Sequence, residues 1–229
     1  MEYPHNRPYT ADDLVRIITL LRDPVNGCPW DKVQTHTSIR MNFLEEAYEA
    51  VDALDLDDPV LMCEELGDVL MQVAFHTCME QETGRFTWEQ VCDGVCQKLI
   101  ERHPNIFGTQ PGYEGITDWD ALKNKEKGRR TLADDLESVP RAMPALMRAA
   151  KLQKRAARHG AALQGADAAA LADAAENLQP AQPASAQAEQ AVGELLFAAA
   201  NLARQAGVDP EQALQKANEA FCTAAGPVA

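Results

Sequence analysis

Apolar residues recur at helical spacing along most of the 229-residue chain, and no segment alternates apolar and polar residues as a half-buried β-strand does. One example is the run Leu14, Ile18 and Leu21, which follows the N-cap residue Thr10 and ends before Pro24. Aromatic residues make up only 6% of the chain, whereas strands are enriched in aromatic and β-branched residues. The pattern therefore predicts an all-α fold.

Proline and glycine interrupt this pattern, and the interruptions separate the predicted helices. We expect helices after Thr10 and over residues 37–56, 59–83, 87–103, 117–128, 144–159, 189–206 and 209–223. Leu66 and Leu70 lie on the predicted apolar face of the third helix, and Val95 and Leu99 are predicted to point inward from the fourth.

The chain also contains an internal repeat and a change in composition. The segment that begins Glu65-Leu-Gly-Asp resembles the segment that begins Ala191-Val-Gly-Glu, and alanine dominates the chain after Pro140. A repeat of this length predicts two related helical units. The second copy has lost acidic residues.

The balance of charge restricts the partners of the chain. The formal net charge is −14, and an acidic surface repels the phosphate backbone of nucleic acids. An anionic substrate would need a divalent cation between itself and the protein. No apolar run reaches the length of a membrane helix. We therefore predict no nucleic-acid partner and no membrane partner.

The N-terminal residues and the cysteines favour a cytoplasmic location. Residues 1–10 are polar and lack the apolar core of a signal peptide. The 6 cysteines include no Cys-x-x-Cys pair, and most of them lie within helical patterns, which is typical of reduced thiols that pack as small apolar side chains.

Two pairs of acidic residues, each at positions i and i+3, lie on consecutive predicted helices. Glu46 and Glu49 share one face of the second helix, and Glu65 and Asp68 share one face of the third. A short turn joins these helices, so we expect them to pack antiparallel with the acidic pairs facing each other. Many neighbouring positions are apolar, which places the acids at the border of the packing face.

Carboxylates that share a seam repel one another unless they bind cations or stay hydrated. Their oxygens are hard ligands that suit Mg²⁺, with Mn²⁺ as an alternative. The residue three after Glu49 is Asp52 rather than histidine, which disfavours the Glu-x-x-His arrangement of di-iron bundles. The competing interpretation is an ordinary solvated acidic face. Gly67 inside the third helix favours the close approach of another helix or a ligand.

Cations and aromatic residues complete a candidate site for a phosphate-bearing substrate. The candidates are Trp30, Lys32, Lys98, Arg102, Trp119 and Lys123. The first two lie in a loop with two prolines, and the others form two pairs at i and i+4. Lysine and arginine can take up the charge that develops during polyphosphate hydrolysis, and Trp30 or Trp119 can stack on a base. For Lys98 and Arg102 the alternative is a solvated helix face.

The sequence motifs do not support other catalytic arrangements. The chain has no Gly-x-x-x-x-Gly-Lys loop, which excludes a P-loop enzyme. The histidines, His36 and His76 among them, have no ligand-like spacing and receive no role.

Together these motifs resemble the MazG family of nucleoside triphosphate pyrophosphohydrolases. The resemblance rests on Glu-Glu-x-x-Glu followed by Glu-x-x-Asp on the next helix. The matching segments begin at Leu21, Leu44, Gly67, Glu101, Pro140 and Leu195, and so span nearly the whole chain.

The resemblance implies an all-α bundle that usually dimerises and hydrolyses nucleoside triphosphates to a nucleoside monophosphate and pyrophosphate, as in sanitation of the nucleotide pool. The implied Mg²⁺ ligands are Glu46, Glu49, Glu65 and Asp68. The implied catalytic residues are Glu45, Glu46 and Glu49, with Glu45 as an outer-shell acid or a residue that helps to orient water. The implied nucleotide contacts are Lys98, Arg102, Trp119 and Lys123.

By the same resemblance, residues 1–130 form a MazG-like catalytic unit and residues 131–229 form a degenerate MazG-like unit that serves packing or dimerisation. The second unit has Ala172-Asp173-Ala-Ala-Glu176 in place of Glu-Glu-x-x-Glu, and Ala191 in place of the next expected glutamate. We therefore predict that it is catalytically inactive. Two alternatives stay open: a degenerate, non-catalytic interaction protein, and a hydrolase of another pyrophosphate-containing nucleotide, such as a modified base or an alarmone.

Overall fold

The structure is a computed structural model that describes residues 3–5, 7–104, 106–108, 122, 124, 126–179 and 182–226. Every regular element within these ranges is a helix, which confirms the predicted all-α fold. The chain divides into two compact units, residues 1–116 and 117–229, so the observed boundary precedes the one predicted after residue 130. In the described ranges, no helix combines the length and apolar character needed to cross a membrane.

The first unit is built on four described α-helices. They are α1 (Ala11–Leu21), α2 (Arg40–Asp55), α3 (Pro59–Glu82) and α4 (Trp88–Arg102), with a short 3-10 turn at Asp31–Val33. The N-cap predicted at Thr10 is confirmed, because its hydroxyl accepts a hydrogen bond from the Asp13 amide. The second helix begins at Arg40 rather than near residue 37, because Thr35 and Ser38 exchange hydrogen bonds in a separate turn.

The turn between α2 and α3 makes these helices a hairpin. Asp57 adopts a left-handed backbone conformation with φ of 53°, which aspartate tolerates better than most residues. Asp58 then accepts hydrogen bonds from the amides of Val60 and Leu61 and so caps α3. Pro59 occupies the first helical position, where no amide hydrogen is needed.

The core of the first unit lies between α1, the C-terminal half of α3 and the start of α4. Its buried members are Ile18, Ile39, Ala74, Phe75, Cys78, Met79 and Trp88. The apolar stripe continues beyond this core onto residues that are 40–50% exposed, namely Leu66, Leu70, Val95 and Leu99. The predicted inward orientation of Val95 and Leu99 is therefore wrong within this unit, because periodicity identifies an apolar stripe but not what covers it.

The second unit also consists of helices in the part that the structure describes. They are α5 (Leu132–Glu137), α6 (Ala145–Arg158), α7 (Ala168–Leu178), α8 (Ala186–Gln205) and α9 (Pro210–Ala225). The sequence pattern did not predict α5 or α7, and most of the predicted helix over residues 117–128 lies outside the described residues. Helix α8 packs against α6, α7 and α9 through buried alanines such as Ala191 and Ala198.

Candidate active site

Three carboxylates of the α2–α3 hairpin converge. Glu46, Glu49 and Glu65 each place a carboxylate oxygen within 4.8 Å of the others. Glu46 and Glu49 lie one turn apart on α2, and Glu65 lies in the first half of α3. No other group of three or more histidine, cysteine, aspartate or glutamate side chains within the described ranges comes together in this way.

Asp68 adds its charge to this cluster. Burial raises the pKa of Glu46, and the negative charges of Asp68 and Glu49 raise it further. Burial also raises the pKa of Glu65, followed by the charges of Glu49 and Asp68. The part of each shift that comes from neighbouring acids means that the ionised carboxylates repel one another, and a bound cation would relieve this repulsion.

The cluster suits a divalent cation with a preference for oxygen. In an octahedral Mg²⁺ site, neighbouring ligands are about 3.0 Å apart and opposite ligands about 4.2 Å apart, since each bond is about 2.1 Å long. Carboxylate oxygens within 4.8 Å of one another can reach these separations through side-chain movements alone. Glu49 is exposed, whereas Glu46 and Glu65 are half-buried, so an ion held here would remain accessible to substrate and water.

Gln72 lies on α3 next to this cluster, and the sequence assigned it no role. Its Nε2 lies 3.5 Å from Oε1 of Glu46, and the residue is only 7% exposed. Its Oε1 is buried and has no hydrogen-bond partner among the described residues. Gln72 follows Asp68 by four positions, so its place on the same face of the helix could have been recognised from spacing alone.

His76, one turn further along α3, contacts the loop that precedes α2. Nδ1 of His76 lies 2.8 Å from Nδ1 of His36, and the two rings are stacked with centroids 5.0 Å apart. Nε2 of His36 lies 2.6 Å from the buried carboxylate of Glu80, which also binds Arg85. The sequence pattern did not predict this cluster, because 40 residues separate the two histidines.

A polar stripe on α3 therefore connects the carboxylate cluster with this loop. Its members recur every four residues and are Asp68, Gln72, His76 and Glu80. The residues that face this stripe lie on α2 and follow the opposite order. Glu46 lies next to Gln72, and the earlier residue Phe43 lies next to the ring of the later residue His76. This order is that of an antiparallel hairpin.

The loop with Trp30 and Lys32 is held by Arg22 at the end of α1. One guanidinium nitrogen of Arg22 donates to the carbonyl oxygens of Asp31 and Gln34, at 2.7 and 3.2 Å. Lys32 is half-buried, whereas Trp30 is 57% exposed and so presents its ring for stacking.

The other predicted site residues lie on α2, on α4 or outside the described residues. Glu45 is exposed on α2 and adds to the negative charge around Glu46. Lys98 is exposed on α4, and Arg102 is half-buried in its last turn. Trp119 and Lys123 lie outside the described residues. The contacts of these side chains with a nucleotide stay predictions.

Comparison with known proteins places the candidate site within a recognised domain. Residues 34–107 match the family model of the MazG nucleotide pyrophosphohydrolase domain. This range includes Gln72, both contacting histidines and the four predicted metal ligands, which are Glu46, Glu49, Glu65 and Asp68. It ends before Trp119 and Lys123.

Similarity to curated relatives extends over most of the chain. The chain is 41% identical over 219 residues to a nucleoside triphosphate pyrophosphohydrolase of Escherichia coli strain K12, which covers 92% of this chain and 83% of the relative. It is 39% identical over 212 residues to a nucleoside triphosphate pyrophosphohydrolase/pyrophosphatase MazG of Thermotoga maritima, with 92% and 82% covered. A relative in Mycobacterium tuberculosis, also named nucleoside triphosphate pyrophosphohydrolase, is 38% identical over 154 residues, which span 66% of this chain and 46% of the relative. With this identity and coverage, the chain belongs to the MazG family of nucleotide pyrophosphohydrolases and is an enzyme of the hydrolase class.

Proposed function

We propose that this enzyme hydrolyses nucleoside triphosphates to a nucleoside monophosphate and pyrophosphate, with Mg²⁺ held at the α2–α3 hairpin. The observation that carries the proposal is the convergence of Glu46, Glu49 and Glu65 within 4.8 Å. The names of the relatives from Escherichia coli and Thermotoga maritima support the choice of substrate and reaction.

Each part of the candidate site has a proposed task. Glu46, Glu49 and Glu65 would hold the cation together with Asp68, and Mn²⁺ could replace Mg²⁺ because both accept carboxylate oxygens. The bound ion would neutralise phosphate charge and lower the pKa of a water molecule. Glu45 would help to orient the attacking water or act as an outer-shell acid.

The nucleotide itself would be held by side chains outside the carboxylate cluster. Lys98 and Arg102, with Lys123, would bind phosphate oxygens and take up developing charge. Trp30 or Trp119 would stack on the base. The cellular role that we propose is sanitation of the nucleotide pool in the cytoplasm.

We also propose that the enzyme acts as a homodimer. Several large apolar side chains on the α2–α3 hairpin are 40–52% exposed, among them Val51, Leu54, Leu66 and Leu70. A group of exposed apolar side chains on neighbouring helices is typical of a protein–protein interface. Sedimentation equilibrium should give twice the chain mass, and Leu66→Glu should give the mass of one chain. A wild-type protein that sediments as a single chain would contradict the dimer.

The proposed reaction is tested by identifying its products. With Mg²⁺ present, canonical triphosphates should give equal amounts of nucleoside monophosphate and pyrophosphate, and chelation of the metal by EDTA should abolish both. Glu65→Gln should lower kcat/KM by at least about 100-fold, because loss of an outer partner alone costs 10- to 100-fold at metal sites.

Glu64→Gln provides the matched control, since Glu64 precedes Glu65 in α3 but is exposed and outside the carboxylate cluster. Its kcat/KM should stay near that of the wild type. Release of inorganic phosphate and a nucleoside diphosphate would contradict the proposed bond cleavage. Activity confined to modified nucleotides would favour the alternative hydrolase, and no activity on any pyrophosphate-containing nucleotide would favour a binding protein.

A further inference from the structure

We infer that Gln72 is a positioning residue that orients the Glu46 carboxylate for the divalent cation. This inference rests on the proposed metal site at the α2–α3 hairpin. Gln72 is neutral, so its proposed role is to orient a ligand of the cation and not to be one of the anionic ligands.

The chemistry of the contact fixes the orientation of the Gln72 amide. An ionised carboxylate only accepts hydrogen bonds, so the amide group that faces Oε1 of Glu46 is the NH₂ group. The distance of 3.5 Å is at the outer limit of hydrogen bonding, so the contact is weak when no cation is bound. The hydrogen bond also lowers the pKa of Glu46, against the effect of burial and the neighbouring acids.

The other end of the amide has no protein partner in the part of the chain that the structure describes. Oε1 of Gln72 is buried and accepts no hydrogen bond from any described residue, although Gln72 is only 7% exposed. A buried acceptor without a donor destabilises the folded protein. A hydrated cation at the neighbouring carboxylates would bring water molecules that can donate to such an oxygen.

The internal repeat indicates that packing alone does not require this amide. When Glu65 is aligned with Ala191, Gln72 aligns with Ala198 on α8. Both alanines are buried, at 3% and 0% exposure, so the second unit fills these positions with small apolar side chains. The unit that lacks the acid also lacks the amide, as expected if the two serve the same site.

The test is Gln72→Met, which keeps the length of the side chain and removes its donor and acceptor. Isothermal titration of the full chain with Mn²⁺, without nucleotide, should give a Kd that is about 10- to 100-fold higher than in the wild type. The melting temperature without metal should stay the same or rise, because an unpaired buried acceptor has been removed. A purely structural role predicts the opposite: a lower melting temperature with an unchanged Kd for Mn²⁺.

Gln153→Met is the matched control. Gln153 in the second unit is also buried, and its Nε2 donates a hydrogen bond of 2.7 Å to the carbonyl oxygen of Phe197. Its Oε1, like that of Gln72, has no partner among the described residues. Because its hydrogen bond is short, its loss should lower the melting temperature, while the Kd for Mn²⁺ should stay at the wild-type value. A double-mutant cycle with Glu46→Gln should be non-additive if Gln72 acts through Glu46.

The outcomes separate this inference from the proposed function. If Glu65→Gln weakens Mn²⁺ binding but Gln72→Met does not, the metal site stands and the role of Gln72 is wrong. If wild-type protein binds no Mn²⁺, both the metal site and the role of Gln72 are overturned.

Discussion

Arg22 connects helix α1 to the loop that carries Trp30 and Lys32. Its guanidinium pairs with Glu82 through two hydrogen bonds, at 2.5 and 2.8 Å, and also donates to two loop carbonyl oxygens. It lies over the Phe75 ring with its carbon 5.3 Å from the ring centroid. A planar guanidinium is the side chain that can satisfy all these partners at once.

Arg22→Met should lower the free energy of unfolding by about 2 kcal/mol, because it leaves carbonyl oxygens of the loop and one carboxylate without their donor. The effect is moderate because the Glu82 side chain is 44% exposed and can be rehydrated. Urea denaturation gives this value. Arg16→Met is the control, since Arg16 is exposed on the same helix, and an equal loss from both variants would contradict the assignment.

The environment of His76 makes stability depend on pH. Burial lowers the pKa of His76, and the charge of His36 lowers it further. The folded state therefore binds fewer protons than the unfolded state when the pH lies between this lowered pKa and the ordinary value of about 6.5. The free energy of unfolding is therefore highest above about pH 6.5, where His76 is neutral in both states. It decreases as the pH falls below that value, because protonation then favours the unfolded state. Glu80 and Arg85 are the other charged groups of this cluster.

His76→Gln should weaken this dependence. The wild type should lose more of its free energy of unfolding than the variant does when urea denaturation is repeated at about pH 7.5 and about pH 5.5. The two proteins should differ least at the higher pH, where a neutral histidine carries no unfavourable charge. Parallel losses in both proteins would assign the pH dependence to groups other than His76.

Helix α3 contains a glycine without a local structural reason. A Cβ added at Gly67 would meet nothing within 4 Å among the described residues, and the same holds at Gly193 in α8. The described part of this chain therefore does not supply the close approach that Gly67 led us to expect. A second copy of the chain or a bound nucleotide is left as the candidate for that space.

Gly67→Ala and Gly193→Ala should each raise the free energy of unfolding by about 1 kcal/mol, because alanine restricts the unfolded chain and favours the helix. If a partner or substrate uses the space at Gly67, that variant alone should also weaken dimerisation or raise KM. Chemical denaturation and sedimentation measure the two effects separately. Destabilisation by Gly67→Ala but not by Gly193→Ala would mean that a neighbour within the chain occupies the space.

The two units differ in what fills their helix pairs. In the first unit, acids and Gln72 line the seam between α2 and α3. In the second unit, the buried positions of α8 are mostly alanine, and the described residues of that unit contain no comparable cluster of acids. This difference supports the proposal that the first unit holds a cation and the prediction that the second serves packing.

Glu46→Ala should lower turnover by at least about 100-fold, whereas Glu176→Ala in the second unit should leave turnover near the wild-type value. Steady-state release of pyrophosphate with Mg²⁺ is the measurement. Equal losses from both variants would mean that the second unit contributes to catalysis, and the prediction of an inactive second unit would then be wrong.

The helical periodicity and the capping residues predicted the all-α fold and most helix boundaries. Thr10, Asp58 and Pro59 act within one or two turns of the chain, so their effects can be inferred from neighbouring residues. The spacing of Glu46, Glu49, Glu65 and Asp68 identified the acidic face for the same reason. The resemblance to a known family added the reaction and the metal that we propose.

Packing decided what the linear pattern left open. Three features depend on which helix or loop covers each face of α3. They are the stacking of His36 on His76, the Gln72 oxygen that has no partner among the described residues, and the exposure of Leu66 and Leu70. Spacing within one helix follows from backbone geometry and can be read along the chain. Contacts across 40 residues arise only when the hairpin closes and brings its loop onto α3, so the amino-acid order alone did not reveal them.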